Sequence, residues 1–182
     1  MNQAIIHNKT KGKTLSLIGG PMGVGKTTVG QRLKKTLPDC VLLDGDALWD
    51  ADPFHVTEET KAMVLRNSLF VLNEFLHGTA YENIVFTWVM HEQGIIDTLL
   101  AGLDTTGTKV VPLSLIASPD VLRARLGADI RQGIRSEDVI ERSLQRRKGY
   151  ENLNTIKINT DERRVADIAM EIVRLGSAED KR

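Results

Sequence analysis

Gly20, Gly25, Lys26 and Thr27 stand at the spacing G-x-x-x-x-G-K-[ST], inside the run GPMGVGKTT. Glycines so spaced let the backbone turn until successive N–H groups point inward around phosphate oxygens, at the start of a helix whose dipole favours anions. The residues Gly20, Pro21, Met22, Gly23, Val24, Gly25, Lys26, Thr27 and Thr28 are therefore expected to bind a nucleoside triphosphate. Lys26 can reach the β- and γ-phosphates, and the Thr27 hydroxyl can ligate Mg²⁺. A second cluster follows in VLLDGDALW, where Asp44 and Asp46 end an apolar run. On an extended chain alternate residues point the same way. Two carboxylates so placed suit phosphoryl transfer, one holding Mg²⁺ through water and the other aligning an acceptor hydroxyl. The competing role for either is to cap the next helix.

A third cluster is cationic. Arg123, Arg125, Arg131, Arg135, Arg142, Arg146 and Arg147 all fall in SPDVLRARLGADIRQGIRSEDVIERSLQRRKGY. Arginine stays charged, neutralises phosphoryl oxygens bidentately and stacks on bases. Arg131 and Arg135 flank Gly133 in a segment able to close over a bound nucleotide, so they are expected to be catalytic. Arg125 is placed to stack on the base. Arg146 and Arg147, beside Lys148, are expected on a solvated helix face.

Elements of the right kind exist to position these groups. Strand-length apolar runs lie near Leu15 to Gly19, Val41 to Asp44, Ile84 to Val89, Val110 to Ile116 and Ile156 to Asn159, with helical spacing between them and a last helix ending near Leu175. The runs are nearly continuous, as in strands covered by helices on both faces of a parallel sheet. An α/β doubly wound layout follows, whose ligands sit at the carboxyl ends of the strands. The 182 residues suit one domain, with both chain ends, residues 1–12 included, expected to be frayed. Lys plus Arg and Asp plus Glu each total 24, so no net charge points to nucleic acid or membrane. Cys40 is the single cysteine and reads as the start of a buried strand. With no signal-like segment and no apolar run of about 20 residues, a soluble cytoplasmic protein is expected.

With loop, carboxylates and arginines in view, the chain resembles the small-molecule kinases of the P-loop NTPase fold: shikimate kinase, gluconate kinase and chloramphenicol phosphotransferase, and more distantly the nucleoside monophosphate kinases. The resemblance runs from Leu15 to about Leu175. It implies a single three-layer kinase domain over 1–182, a five-stranded parallel sheet in the order 2-3-1-4-5 with helices on both faces, and an arginine-rich lid at about 127–137. It also implies ATP and Mg²⁺ as cofactors, with Asp44 as the ligand of a Mg²⁺-bound water and Asp46 as acceptor-positioning residue or base. The loop at Asn159 to Asp161 would line the adenine pocket. Where shikimate kinase has a glycine-rich turn after the third strand, this chain has TWVMHEQG, which argues against shikimate.

The acceptor pocket is expected from about 48–78 together with Trp88 to Gln93. Trp49, Phe54 and Trp88 could wall it, Arg66 could bind an anionic group, and His91 with Glu92 could hold hydroxyls. Against these stand simple packing of Trp49 and Phe54, and a solvated Arg66 on a helix whose Met63, Phe70 and Leu72 face inward. The expected function is transfer of the ATP γ-phosphoryl group to a small hydroxylated or phosphorylated acceptor. A nucleoside monophosphate kinase is the near alternative, and a nucleotide-dependent regulatory ATPase or switch the distant one. A GTPase is disfavoured, because no N-K-x-D follows the fourth strand, where LSLIASPDVLRARL stands. Oligomeric state is not legible in the sequence.

Overall fold

The computed structural model describes residues 12–177; the fraying expected of residues 1–11 and of the far C-terminus lies outside the described residues. Five strands, β1 (Lys13–Gly19), β2 (Cys40–Asp44), β3 (Asn83–Thr87), β4 (Thr108–Ile116) and β5 (Ile156–Asn159), form one sheet in the order β2-β3-β1-β4-β5. Every neighbouring pair is parallel. The helices are α1 (Lys26–Thr36), α2 (Glu58–His77), α3 (Gln93–Gly102), α4 (Pro119–Arg131), α5 (Val139–Arg147) and α6 (Val165–Ser177). Short 3₁₀ turns at Gly45–Trp49 and Lys148–Asn152 follow β2 and α5.

Continuous apolar strands bury both faces, and alternate residues feed two cores. Leu15, Leu17, Ile84 and Phe86 pack with Leu72, Leu76, Ile96 and Leu99 of α2 and α3 on one side. Ile18, Val85, Leu113 and Leu115 pack with Val29 and Leu33 of α1 and with Ile168, Ala169 and Ile172 of α6 on the other. Helix starts are marked in the sequence. Thr57 accepts the Thr60 N–H at 3.1 Å while the Thr60 hydroxyl accepts the Thr57 N–H at 2.9 Å, closing a capping box on α2. Ser118 caps α4, with Pro119 at the first position where a missing N–H costs nothing.

Three expectations change. Asp46 does not continue an extended chain: β2 ends at Asp44 and Asp46 lies in the 3₁₀ turn, because the Asp44 carboxylate accepts the Asp46 N–H at 3.2 Å and starts that turn. The buried stripe of α2 is Val64, Ser68, Leu72 and Leu76, so Phe70 points outward and is 68% exposed, although Leu72 is buried as expected. Cys40 opens β2 as expected but is only half-buried.

Candidate active site

The turn between β1 and α1 is held open by its own lysine. Lys26, almost fully buried, donates to the Gly20 and Pro21 carbonyls at 2.9 and 3.1 Å. Gly25 precedes α1 with φ of 104°, a region closed to residues with a Cβ, and this lets the first N–H groups of α1 turn into the loop. The loop frames a cavity of about 400 Å³ lined by Met22, Gly23, Gly25, Lys26, Thr27 and Thr28. Gly20, Pro21 and Val24 stand behind it. The first two hold the lysine, and Val24, buried in the core, presents its carbonyl to Arg125 at 3.2 Å.

Asp44 and Asp46 divide. The Thr27 hydroxyl donates to Asp44 Oδ2 at 2.9 Å, tying the first residues of α1 to the end of β2. Asp46 instead lines the cavity with Lys26. Its side chain reaches solvent through that cavity, yet the protein around it strips enough water to push its pKa up, opposed by the Lys26 charge and reinforced by Asp44. Lys26 is pushed down from its ordinary 10.5 to about 8, first by burial, with Asp46 and Asp44 pulling the other way. Thr27 Oγ1 and the Asp44 carboxylate are hard oxygen donors side by side, the set that Mg²⁺ takes alongside phosphate oxygens and water. The 3₁₀ turn lies flat beneath Trp88: a Cβ on Gly45 would come within 2.6 Å of the indole. Gly45→Ala is expected to cost about 1–3 kcal/mol through overpacking, read as a lower urea midpoint at unchanged slope.

The arginine segment sorts itself. Arg125 lines the cavity and is fixed by bonds to Val24 O, Thr160 Oγ1 and Thr160 O, at 3.2, 3.1 and 3.0 Å. Arg135 lines it too, paired with Asp129 at 3.3 Å. Arg131 is exposed and does not reach the cavity lining; it lies along α4 near Gly127. The solvated face expected of Arg146 and Arg147 is not what α5 presents. Both are half-buried, because α5 docks on the phosphate loop, where buried Ser143 donates to Met22 O at 2.7 Å. Arg147 binds the Ala117 carbonyl at 2.9 Å and pairs with Glu151. Arg146 has no hydrogen bond or ion pair among the described residues, and its charge acts on Lys26, Asp46 and His91. Sequence reasoning passed over it because adjacent arginines beside a lysine look like surface.

Along the α4 and α6 side of the cavity, Arg163, Val165 and Ile168 join Arg125. Arg163 is held by the Asn159 carbonyl at 3.1 Å and Glu171 at 2.7 Å. The loop of Asn159 to Asp161 does not itself line this cavity. Asp161 accepts the Ser118 N–H with both carboxylate oxygens, at 3.1 and 3.0 Å, so it fixes the β5 end to α4. The apolar spacing of α6 was the available signal for Val165 and Ile168, but spacing marks them as core and not as lining.

The expected acceptor residues are not gathered by this cavity. Trp49 meets exposed Phe54 at a tilt with ring centroids 4.8 Å apart, while Trp88 neighbours Phe86 at 6.2 Å, so Trp49 and Phe54 form one pair and Trp88 belongs to another. Arg66 is exposed on α2 without hydrogen bond or ion pair among the described residues. His91, after β3, pairs with Glu92 at 3.3 Å; burial and the Arg146 charge lower its pKa, and its Nδ1 is buried without a partner among the described residues.

A family model described as AAA domain matches residues 17–155. No curated protein matches the chain. Among solved structures, the Deinococcus radiodurans tunicamycin resistance protein is similar at a TM-score of 0.70 and 21% identity, over 92% of this chain and 97% of that one. A gluconokinase from Sinorhizobium meliloti gives 0.65 and 18%, over 92% and 95%. Shikimate kinase from Acinetobacter baumannii, solved with shikimate, gives 0.60 and 20%, over 91% and 93%. At these identities the likeness is one of fold.

Proposed function

We propose that this chain, which belongs to the AAA domain family, is an ATP-dependent kinase that transfers the γ-phosphoryl group to a small hydroxylated or phosphorylated acceptor. The observation that carries the reading is the unequal use of two neighbouring carboxylates. Asp44 is engaged by the phosphate loop through Thr27, and Asp46 faces the same cavity as Lys26 with its pKa raised. A nucleotide switch needs the first carboxylate alone; a second, desolvated one beside the lysine is what an acceptor hydroxyl requires. The gluconokinase and shikimate kinase among the structural neighbours support the same class.

In this reading the backbone of Gly20 to Thr28 cradles the phosphates and Lys26 exchanges its carbonyl partners for phosphate oxygens. Thr27 and Asp44 would hold Mg²⁺, which when bound neutralises phosphate charge. Arg125 and Arg163 flank the base. Asp46 accepts a hydrogen bond from the acceptor hydroxyl, orients its oxygen and takes the proton as the acceptor O–P bond forms and the bond from the γ-phosphorus to the β,γ-bridging oxygen breaks, with ADP as the leaving group. Arg135, in the segment joining α4 and α5, closes over the transferring group and helps exclude water; Ile134 beside it, 63% exposed, gains cover on closure. Arg131 serves that closure from the end of α4. Trp49, Trp88, His91 and Arg66 form the outer acceptor side, and Arg146 favours an acceptor bearing an anionic group, nucleoside monophosphates included.

The test is a panel of sugars, sugar acids, polyols, antibiotics and nucleoside monophosphates with Mg²⁺-ATP. One class should raise ATP consumption at least about tenfold over the acceptor-free rate, as expected when positioning converts idle hydrolysis into transfer. Slow hydrolysis indifferent to every acceptor, with nucleotide-dependent retention of a protein partner, would establish a switch instead.

A further inference from the structure

Helix α2 carries little charge for a helix on the outside of a molecule. Between Ala62 and Leu76 only Arg66 and Glu74 are charged, and the buried stripe from Val64 to Leu76 is flanked by the partly buried Leu65, Leu69 and Phe75. The outer face centres on Phe70, 68% exposed. Arg66 and Glu74 stand one turn before and one turn after it, both exposed, and neither side chain has a hydrogen bond or ion pair among the described residues. A lone exposed apolar residue is ordinary on a surface. One bracketed at i−4 and i+4 by unpaired charges of opposite sign has a symmetry of its own. A two-fold axis at Phe70 reverses the row, laying Phe70 on the partner's Phe70, Arg66 beside the partner's Glu74 and Glu74 beside the partner's Arg66. A parallel pairing in register would instead set Arg66 on Arg66 and Glu74 on Glu74. Residues four apart also form the ridge that packs when two helices cross at about −50°, the commonest crossing class in globular proteins.

We propose that the outer face of α2 is a self-association surface, on which a second copy of this chain docks with its α2 antiparallel and the two Phe70 rings meeting at the two-fold axis. The inference goes beyond the kinase reading and does not rest on it. One helix face per copy is a small contact, so the dimer is weak, and its two ion pairs lie at the rim within reach of salt. In the dimer Arg66 is engaged by the partner's Glu74, and anion binding on the acceptor side falls to Arg146.

The experiment is sedimentation velocity of the whole chain over about 1–500 µM, the span in which a small interface associates, at low and at high salt. The unaltered chain should show a monomer–dimer equilibrium that high salt weakens. Phe70→Ser should raise the dissociation constant at least about tenfold, as expected when a buried aromatic is lost from each copy. Glu74→Arg and Arg66→Glu should each raise it at least about threefold by setting like charges opposite one another. Combining the two exchanges should bring it back to within about twofold of the unaltered chain, since opposite charges then face each other again. All three positions are exposed, so far-ultraviolet circular dichroism of each variant should match that of the unaltered chain. A monomer throughout the range overturns the proposal. So does a dimer that Phe70→Ser leaves unchanged, which would put the contact on another face, and so does failure of the double exchange to restore association, which would remove the antiparallel register. If the dimer behaves as expected and no acceptor is phosphorylated, the kinase reading fails and the surface stands.

Discussion

Asp46→Asn lowers transfer to the acceptor on the order of 10²–10⁴-fold, the range carried by a positioned proton acceptor, while nucleotide affinity changes by no more than about threefold. Asparagine keeps the size and the hydrogen-bonding reach but cannot take the proton. The cradle itself is untouched, because Lys26 hangs on the Gly20 and Pro21 carbonyls and Thr27 on Asp44, with Asp46 in neither bond. A pH profile supplies the second readout. Burial raises the Asp46 pKa, so the group is a stronger base than an exposed aspartate and takes up its proton at a higher pH on acidification. Transfer should fall on the acid side through that raised value, while nucleotide binding does not follow it. The same shift has a folding consequence of defined sign. The folded chain holds this proton more tightly than the unfolded one, so the charged carboxylate costs stability above its folded pKa, and Asp46→Asn should raise the neutral-pH Tm. Collapse of ATP binding in Asp46→Asn would move Asp46 into the nucleotide site and remove the ground for a kinase.

Why the form of the glycine-lysine loop was legible and the gathering of more distant residues around it was not is a matter of range. Gly20 to Thr28 is a contiguous stretch whose form is backbone geometry, and backbone geometry follows from local glycine and lysine placement; the strand before it and the helix it enters are fixed by equally local apolar periodicity. The five strands fall within a few residues of their expected bounds for the same reason, and the order β2-β3-β1-β4-β5 matches what the kinase resemblance implied. Pairings across the sheet are another matter. That Thr87 lies beside Asp44, or that Ser143 grips Met22, depends on register and docking, which no spacing within one segment encodes. Arg146 shows the cost: in sequence it is one of a basic triplet, and only the seating of α5 on the phosphate loop turns it inward. Phe70 shows the converse error. Its apolar character suggested core, but the helical phase set by Val64, Ser68, Leu72 and Leu76 places it on the outside of α2. Asp46 lies between these cases, since its type and neighbourhood were readable while the 3₁₀ turn that aims it was not.

Lys26→Met reduces phosphoryl transfer roughly 10²–10³-fold, the loss typical of one preorganised electrostatic group, and it also weakens nucleotide binding, which separates it from Asp46→Asn. Methionine fills the channel of the lysine stem but leaves the β- and γ-phosphates without their cation. The pH dependence tests the assignment independently. In the ligand-free chain burial lowers the Lys26 pKa to about 8, against an ordinary value of 10.5. Phosphate oxygens favour the charged form, so the nucleotide-bound pKa is higher. Above about pH 8 binding must therefore take up a proton, and affinity should weaken by up to about tenfold per pH unit. Below pH 8 it should be flat, and in Lys26→Met flat throughout. The folding sign is equally fixed: between about 8 and 10.5 the unfolded chain binds more protons at this site, so its contribution to stability rises with pH across that window. The charged lysine is thus held at neutral pH against the preference of the ligand-free fold, sustained by two backbone carbonyls until phosphate replaces them. A triphosphate affinity that is insensitive to pH between 7 and 10 in the unaltered chain, matched by unimpaired transfer in Lys26→Met, would place the phosphates elsewhere.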